Sequence, residues 1–406
     1  MESLKTVTIS KRAELAVKGG HPWIYGTEIR EQEEEILPGD IVKVLSSKGK
    51  FIGSGFYNPN SKITVRIFST NANDVFNDAF WKRRAAYAVD YRLQVMRKED
   101  YDCCRLVFGE ADQLPGMTVD RFGDVLSVQV LSLGMEKRKE VFLNGLIEVL
   151  RERNLPVSAV YERNDVKIRN LEGMEEYKGF FKSPLLDEKE EKTKVDIVEN
   201  GIRYTVDVEN GQKTGFFLDQ KFNRLAAAQI ARGRHVLDCF THTGAFALNA
   251  AKGGAASVTA LDVSEEAVKM TAHNGEINGL SIHAVQADVF DYLTELDKTK
   301  NHDYDYIILD PPAFTKSGKT VHEAFRGYKE INYRAMKILP RGGYLATCSC
   351  SHFMGEELFI KMVKEAARDA GVTLRQIEFR QQSPDHPILM TVPETYYLKF
   401  FLFQIV

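Results

Sequence analysis

The feature that most constrains the fold is a repeating alternation of short apolar strands and amphipathic helices that begins near residue 233. The strand-like stretches are HVLDCF, SVTALD, IHAVQAD, YDYIILD and YLATCSC, and helical stretches such as AFALNAAKGG, SEEAVKMTAHNGEIN and FRGYKEINYRAMKIL lie between them. This alternation predicts a parallel sheet with helices on both faces. The chain closes with TYYLKFFLFQIV, which we interpret as a further, long apolar strand.

Two regions of different pattern precede this alternation. Residues 1–72 consist of short strand-like pieces with turn signals, including the glycine-rich FIGSGF, and predict a small β-barrel or roll. Residues 73–188 contain a helical stretch, two strands in LPGMTVDRFGDVLSVQV, and a helical pattern in MEKRKEVFLNGLIEVLRER. We therefore predict an α/β fold class with three domains, the central one α/β and the last covering residues 189–406.

The boundary before the third domain is predicted in a charged segment, LDEKEEKTK (Leu186–Lys194). The stretch VDIVENGIRYTVDV follows it. That stretch predicts a β-hairpin, because Asn200–Gly201 is the strongest short-range turn signal.

Composition excludes several classes of protein. The net charge of −3 argues against indiscriminate nucleic-acid binding, and no apolar run approaches the roughly 18–20 residues of a membrane helix. The start, MESLKTVTISKRAEL, lacks the apolar centre of a secretory signal. Five cysteines are too few and odd in number for a disulfide framework, so we expect a reduced, cytoplasmic protein. The basic run Trp81–Lys98 fits a local RNA-binding patch and an ordinary solvated helix face equally well.

Acidic residues end four consecutive predicted strands: Asp238, Asp262, Asp288 and Asp310. In open α/β sheets the ligand crevice lies at the carboxyl ends of the strands, so these side chains are expected to share one site. A lone acid of this kind is often only a helix N-cap, and Asp288 fits that simpler interpretation too.

The first turn of the sheet, DCFTHTGAF, contains a single glycine, Gly244. Without G-x-G-x-x-G a pyrophosphate ligand is not expected, and the crevice suits a ligand with a ribose and positive charge but no phosphate. Asp262 is positioned to accept hydrogen bonds from ribose hydroxyls, and Asp288 from the exocyclic amine of an adenine. A ligand with these groups and a positive charge is S-adenosylmethionine. The later SGKT resembles the end of a P-loop, but Ala313 occupies the position of its first glycine, so we reject an NTPase.

A rigid corner follows the fourth strand, in Asp310–Pro311–Pro312–Ala313–Phe314. Two prolines fix φ and exclude helix, so the chain leaves the sheet stiffly with its carbonyls exposed. Such a corner can hold Asp310 and free carbonyls against a planar base, with Phe314 available for stacking. The alternative is a simple proline turn.

The stretch TCSCSH contains Cys348, Cys350 and His352. Its spacing fits neither a structural zinc site nor a C-x-x-C redox pair, which leaves two core cysteines or a nucleophile. C5 of a pyrimidine attacks a methyl sulfonium only after a thiolate has added to C6, and a group near N3, here Asp310, assists. Alternation along a strand predicts that both thiols share a side; Cys350 is favoured because it lies further toward the carboxyl end.

The chain resembles, over essentially its full length, the bacterial 23S ribosomal RNA (cytosine-5)-methyltransferase family with an N-terminal PUA domain and a Rossmann-like class I S-adenosylmethionine domain. The stretches that carry the resemblance are HPWIY, GEADQLPGMTVDRFGD, NGQKTGFFLDQ, LDCFTHTGAFALNAA, LDPPAF, RGYKEIN, SCSHFM and PDHPI with TYYLK. It implies a PUA module at 1–72 and a catalytic sheet that ends in an antiparallel strand.

The resemblance also implies roles for particular residues. Cys350 of S-C-S is the expected nucleophile, while Cys348 matches the T-C-S of other RNA cytosine methyltransferases. A second, release-assisting cysteine that related enzymes carry after the motif-IV proline is absent, since Pro312 is followed by Ala313, unless Cys348 takes that catalytic role. The implied cofactor-binding residues are Lys213, Thr214, Gly215, Phe216, Asp238, Phe240, Gly244, Asp262, Asp288 and Asp310. The implied substrate-binding residues are Pro311, Pro312, Phe314, Arg326 and Lys329, of which the last two are phosphate contacts or merely surface charges.

The expected function is an S-adenosylmethionine-dependent methyltransferase that forms 5-methylcytosine in 23S ribosomal RNA. Its expected partner is that RNA, with no membrane association, no metal, and a homodimeric state left open. The alternatives are a guanine N-methyltransferase that uses DPPAF without a cysteine nucleophile, and a non-catalytic RNA-binding assembly factor.

Overall fold

A computed structural model describes residues 4–186, 192–300, 303–315 and 317–406. The chain divides into two compact units, which are the first unit (Met1–Ile197, Thr205–Leu218 and Pro384–Thr395) and the second unit (Val198–Tyr204, Asp219–Ser383 and Tyr396–Val406). Of the predicted boundary segment, residues 187–191 lie outside the described residues. The three-domain division stays a prediction. Within the described ranges, no helix has both the length and the apolar character needed to cross a membrane.

The first unit opens with a six-stranded mixed sheet in the order β2-β6-β5-β4-β1-β3, as the short strand-like pieces predict. Gly55 of FIGSGF lies where a Cβ would be 2.7 Å from the Arg66 carbonyl oxygen, so a side chain there would push the neighbouring strand away. The elements are β1 (Thr6–Ile9), α1 (Lys11–Lys18), β2 (Trp23–Tyr25), β3 (Ile29–Gln32), β4 (Ile41–Ser46), β5 (Phe51–Tyr57) and β6 (Ile63–Ser69).

A five-stranded sheet with helices follows in the same unit, in the order β11-β10-β9-β8-β7. Its elements are α2 (Asp78–Val95), β7 (Cys103–Phe108), β8 (Met117–Phe122), β9 (Val125–Val130), α3 (Leu133–Glu136), α4 (Lys139–Glu152), β10 (Ala159–Asn164) and β11 (Tyr177–Phe180). On α2, Lys82 pairs with Glu148 and Glu152, and buried Arg92 pairs with Asp112. These ion pairs neutralise much of the basic run and favour the ordinary helix face over an RNA-binding patch.

A buried ion pair joins β7 to β8. Asp120, which is 0% exposed, accepts hydrogen bonds from Arg105 Nε and Nη2, both at 2.8 Å, and from the Thr214 hydroxyl at 2.5 Å. Arg105 in turn donates its backbone N–H to Asp385 at 2.9 Å. This network ties two late segments of the sequence, around residues 214 and 385, into the first unit.

The predicted hairpin is present as β12 (Lys194–Glu199) and β13 (Ile202–Asp207). Asn200 and Gly201 connect the strands with φ values of 53° and 72°. Positive φ at both central residues is the geometry that Asn-Gly turns favour.

The second unit contains a seven-stranded sheet in the order β16-β15-β14-β17-β18-β20-β19. The first five strands in this order are parallel, and β20 runs antiparallel between β18 and β19, so the predicted sheet is confirmed. Its strands are β14 (His235–Cys239), β15 (Ser257–Asp262), β16 (His283–Gln286), β17 (Tyr306–Leu309), β18 (Tyr344–Ser349), β19 (Leu374–Arg380) and β20 (Lys399–Ile405).

Helices cover both faces of this sheet. One apolar cluster packs the sheet against α8, α9 and α10 through residues such as Leu293, Tyr328 and Met362, and a second packs its other face against α5 and α6 through Ala226 and Phe246. The helices are α5 (Lys221–Ile230), α6 (Ala245–Lys252), α7 (Glu265–Ile277), α8 (Val289–Thr299), α9 (Val321–Ile338) and α10 (Glu356–Ala370).

Candidate active site

The acidic residues lie at one edge of the seven-stranded sheet, because β14 to β17 are parallel and each acid stands at or just after a carboxyl end. Asp238 and Asp262 belong to β14 and β15, Asp310 follows β17, and Asp288 is the N-cap of α8. The charges of Asp310 and Asp262 both raise the pKa of Asp238, so these three carboxyls interact electrostatically. The predicted common edge for the four acids is therefore present in the fold, and a ligand site shared by all four stays a prediction.

Asp238 is a fully buried carboxyl with an incomplete set of partners. Its Oδ2 accepts from the Thr241 hydroxyl at 2.6 Å and the Ala247 N–H at 2.9 Å, while Oδ1 has no hydrogen-bond partner among the described residues. Burial, together with the charge of Asp310, raises the pKa of Asp238 to about 7. An unpaired buried oxygen is costly unless a ligand donates to it, and a cationic donor would stabilise the ionised form most.

The loop after β14 has an unusual backbone. Phe240, His242 and Gly244 all have positive φ, at 63°, 54° and 83°, which is uncommon for residues with side chains. At Gly244, the N-cap of α6, a Cβ would be 2.8 Å from Thr271 Cγ2, so only glycine fits. His242 donates its backbone N–H to Asp262 Oδ2 at 2.9 Å, which holds the loop against the end of β15.

Asp262 and Asp288 differ in exposure and in the hydrogen bonds that their carboxylates accept. Asp262 is half-buried, and besides the His242 bond it accepts from the Ser264 N–H at 3.0 Å, which leaves lone pairs on both oxygens for hydroxyl donors. Asp288 is exposed, and its Oδ1 accepts from the N–H groups of Phe290 and Asp291. The simple N-cap interpretation accounts for Asp288, whose contact with an adenine stays a prediction.

The proline corner places Asp310 and a backbone carbonyl beside the cysteine loop. Half-buried Asp310 accepts from Gln220 Nε2 at 2.8 Å, and burial, reinforced by the charge of Asp219, raises its pKa to about 6. The carbonyl oxygen of Pro311 lies 3.8 Å from Cys350 Sγ. Gln220 is the clearest partner that reasoning about strand ends missed, because its bond to Asp310 spans 90 residues.

The aromatic residue of the corner is partly committed to packing. The ring of Phe314 lies 4.6 Å from that of Tyr328 and 6.0 Å from that of Phe290, while Phe240 is 6.4 Å away. Phe314 is half-buried and Pro312 is exposed, so both could still meet a base, a role that stays a prediction.

The two cysteines of TCSCSH have different environments. Cys348 lies within β18, is 0% exposed and packs in an apolar cluster with Phe400 and Leu402. Burial, together with the charge of Asp310, raises the pKa of the Cys348 thiol well above its ordinary value. Cys350 follows the last residue of the strand and is the one cysteine of five that is not buried. β18 ends at Ser349, so the regular strand does not extend to Cys350, and a shared side for the two thiols stays a prediction.

A buried lysine, which the sequence reasoning did not single out, lies next to the cysteine loop. Lys399 begins β20, is 1% exposed, and donates to the backbone oxygens of Ser351 at 2.6 Å and Tyr397 at 2.8 Å. Burial lowers its pKa to about 8. The signal that could have found it is its position as the one charged residue in TYYLKFFLFQIV.

The remaining predicted residues belong to the first unit or to α9. Lys213, Thr214, Gly215 and Phe216 belong to the first unit, where Thr214 bonds to Asp120 and Phe216 is buried; their part in cofactor binding stays a prediction. Arg326 and Lys329 are on α9. Arg326 is exposed, whereas Lys329 Nζ pairs with Asp369 at 2.6 Å and Glu365 at 3.6 Å, pairs that must open before a phosphate could replace them. In the part of the chain that the structure describes, no group of three or more His, Cys, Asp or Glu residues is arranged to hold a metal ion.

Comparison with known proteins gives matches along most of the chain. Residues 182–404 match the S-adenosylmethionine-dependent methyltransferase family, and residues 7–70 match a PUA-like domain. A protein of Pseudoalteromonas atlantica named ribosomal RNA large subunit methyltransferase I is 39% identical over 396 residues, covering 97% of each chain. A protein of the same name from Klebsiella pneumoniae is 36% identical, again over 97% of each.

Solved structures share the fold. A structure described as an S-adenosylmethionine-dependent methyltransferase from Streptococcus mutans superposes with a TM-score of 0.79 at 22% identity, covering 98% of this chain and 99% of the other. A methyltransferase structure in complex with S-adenosylhomocysteine (SAH) gives a TM-score of 0.81 with the same identity and coverage. At this identity the likeness concerns the fold alone.

Proposed function

Because the chain belongs to the S-adenosylmethionine-dependent methyltransferase family, with full-length relatives named ribosomal RNA large subunit methyltransferase I, we propose that it methylates C5 of a cytosine in 23S ribosomal RNA. The observation that carries the cytosine-5 proposal is the exposure of Cys350. It is the one cysteine of the chain with surface access, and it lies at the carboxyl edge of the sheet beside Asp310 and Pro311. A guanine N-methyltransferase would have no use for a thiol at this place.

The proposed chemistry needs a nucleophile and an acid. The Cys350 thiolate adds to C6 of the cytosine, which makes C5 electron-rich; C5 then accepts the methyl group. S-adenosylmethionine supplies that group as an electrophilic methyl on a sulfonium. Loss of the C5 proton to a base restores the double bond and expels the thiolate, so the ring is returned aromatic and methylated.

Asp310 is proposed to act at N3 of the cytosine. With a pKa raised to about 6, a fraction of this carboxyl stays protonated near neutral pH and can donate a hydrogen bond to N3 as charge develops there. The ionised form of Asp310 is stabilised by Gln220, whose Nε2 donates a hydrogen bond to Asp310 Oδ1 at 2.8 Å. A target base inside folded RNA must be turned out of its stack to reach this corner.

The residues at the edge of the sheet fit the cofactor. The unpaired Asp238 Oδ1 suits the positively charged amino group of the methionine moiety, and the open lone pairs of Asp262 suit ribose hydroxyls. Gly244 and Phe240 shape the loop between them. Asp288, Lys213, Thr214, Gly215 and Phe216 complete the proposed cofactor-binding set.

The base that removes the C5 proton is not Cys348 in this proposal. That thiol is fully buried and protonated, so we assign it a packing role. Ala313 stands where related enzymes carry a second cysteine.

Tritium release tests the proposal. Ribosomal RNA tritiated at pyrimidine C5 is incubated with S-adenosylmethionine and wild type, Cys350→Ala or Cys348→Ala. We expect wild type and Cys348→Ala to release tritium in step with methylation, and Cys350→Ala to lose activity by a factor of 10³ or more, on the order expected for removal of a nucleophile. Methylation without tritium release would refute the cytosine-5 assignment. Activity that survives in Cys350→Ala but not in Cys348→Ala would show that Cys348, not Cys350, is the nucleophile.

A further inference from the structure

Lys399 is joined to both sequence neighbours of Cys350, to one by strand pairing and to the other through its buried amine. In the β18–β20 register Ser349 is paired with Lys399, and the Lys399 Nζ atom donates to the carbonyl oxygen of Ser351 at 2.6 Å. Cys350 lies between these two residues in the sequence, so the amine is hydrogen-bonded to the segment that carries the thiol. Lys399 is thus tied to the chain on both sides of Cys350, by strand pairing at Ser349 and by its amine at Ser351.

The two hydrogen bonds of Lys399 do not exhaust its donors. Both acceptors are backbone carbonyls, of Ser351 and Tyr397, and an ammonium has three protons. Carbonyl oxygens stabilise the ammonium but do not neutralise its charge. A buried cation of this kind favours a nearby anion strongly, because few solvent dipoles screen it.

The groups around this amine are mostly acidic or neutral. Asp310 at the edge of the sheet disfavours a second negative charge nearby, while Glu356 at the start of α10 accepts from the Tyr396 hydroxyl at 3.0 Å. In the part of the chain that the structure describes, the titratable and charged groups with a contact or an electrostatic effect on Cys350 or Lys399, or on a direct neighbour of them, include Asp310 after β17, Cys348 on β18, His352 after β18, Tyr328 on α9, Glu356 on α10 and Tyr396 before β20. Among these described residues, Lys399 is the one lysine or arginine.

We propose that Lys399 is a positioning residue that holds Cys350 in its thiolate form and fixes the loop that presents it. This inference rests on the proposed function only in taking Cys350 as the nucleophile. Burial lowers the pKa of Lys399, while the charge of Cys350 raises it, and such coupling between two titrating groups is reciprocal. Since that pKa is about 8, the ammonium form is present throughout the neutral range.

Two substitutions separate charge from hydrogen bonding at this position. Lys399→Gln keeps a donor toward the two carbonyls but removes the charge, whereas Lys399→Arg keeps the charge. The control is Lys337→Gln, which removes the same charge from an exposed lysine that pairs with Asp297 on the outer helices. If Lys399 had only a structural role, Lys399→Gln would leave the reactivity of Cys350 close to that of wild type. The proposal predicts that only Lys399→Arg does so.

The readout is the rate at which iodoacetamide alkylates Cys350 across pH 6 to 10, followed by mass spectrometry of the peptide that contains it. We expect Lys399→Gln to slow alkylation at pH 7 by about tenfold and to move the midpoint up by about one pH unit, with Lys399→Arg within about threefold of wild type and Lys337→Gln unchanged. Equal alkylation profiles for wild type and a folded Lys399→Gln would overturn the proposal.

A reciprocal measurement needs no substitution of the lysine. The NMR titration of Lys399, labelled with ¹³C at its ε-carbon, is compared between wild type and Cys350→Ser. Loss of the thiolate should lower the Lys399 midpoint, and an unchanged midpoint would overturn the inference even if Lys399→Gln does not fold. Neither readout involves RNA, so a failed tritium-release experiment would remove the cytosine-5 assignment and leave the Lys399–Cys350 coupling standing.

Discussion

Two buried aspartates, one in each unit, have opposite surroundings. Asp120 in β8 and Asp238 in β14 are both 0% exposed. Asp120 receives two hydrogen bonds from the Arg105 guanidinium and one from Thr214, so a cation compensates its charge. Asp238 receives bonds only from a hydroxyl and a backbone N–H, and one of its oxygens has no partner within the described ranges.

This difference distinguishes a structural carboxylate from one kept for a ligand. A buried charge without its counter-ion costs several kcal/mol, so a fold keeps one where a ligand supplies the missing partner. Burial accordingly raises the pKa of Asp238 to about 7. In the first unit the partner is part of the chain; in the second we propose that it is the amino group of the cofactor.

The largest expected effect is on the stability of the first unit. Asp120→Asn removes the charge that compensates Arg105 and should destabilise this unit by about 3–5 kcal/mol. Both tryptophans, Trp23 and Trp81, lie in the first unit, so urea unfolding followed by tryptophan fluorescence measures it. Asp238→Asn is the matched control and should leave this transition unchanged. An Asp120→Asn variant as stable as wild type would show that the Asp120–Arg105 pair does not stabilise the first unit.

The next effect is a pH dependence of the second unit. The folded pKa of Asp238, about 7, lies above the unfolded value near 3.9, so ionisation favours the unfolded chain and stability falls as pH rises between these values. As the pH rises from 4 to 8, the free energy of unfolding of Asp238→Asn should therefore increase relative to that of wild type by on the order of 2–4 kcal/mol. Hydrogen exchange at the β14 amides without cofactor measures this difference. A difference that stays constant with pH would show that Asp238 ionises normally.

How far these contrasts could be predicted depends on the range of the interactions. The parallel sheet and its strand-end acids follow from the sequence because the alternation fixes the strands, and parallel strands bring their carboxyl ends to one edge. The partners that set the chemistry are distant: Arg105 and Thr214 meet at Asp120, and Gln220 meets Asp310 across 90 residues. No local pattern encodes such pairs.

The cysteine pair shows a second kind of limit. The sequence predicts that Cys348 and Cys350 share one face, which requires the strand to continue through both. Where β18 ends is decided by its pairing with β20, whose first residue, Lys399, is paired with Ser349. The sequence favours Cys350 because it lies further along the strand, and its partial exposure beyond the end of β18 supports the same choice for a different physical reason.

The smallest expected effect is on cofactor affinity, and it compares two strand-end acids. Asp238→Asn should weaken binding of S-adenosylhomocysteine by about 10- to 100-fold, the loss expected when a charged hydrogen bond of 1.5–3 kcal/mol is removed. Asp288→Ala, which removes an exposed N-cap, should change affinity by less than about threefold and cost about 1 kcal/mol of helix stability. Isothermal titration calorimetry measures both constants. A larger loss of affinity for Asp288→Ala than for Asp238→Asn would reverse the assignment of the main cofactor contact. The exposed Asp288 would then be the principal polar partner of the cofactor, and no ligand would account for the unpaired oxygen of the buried Asp238.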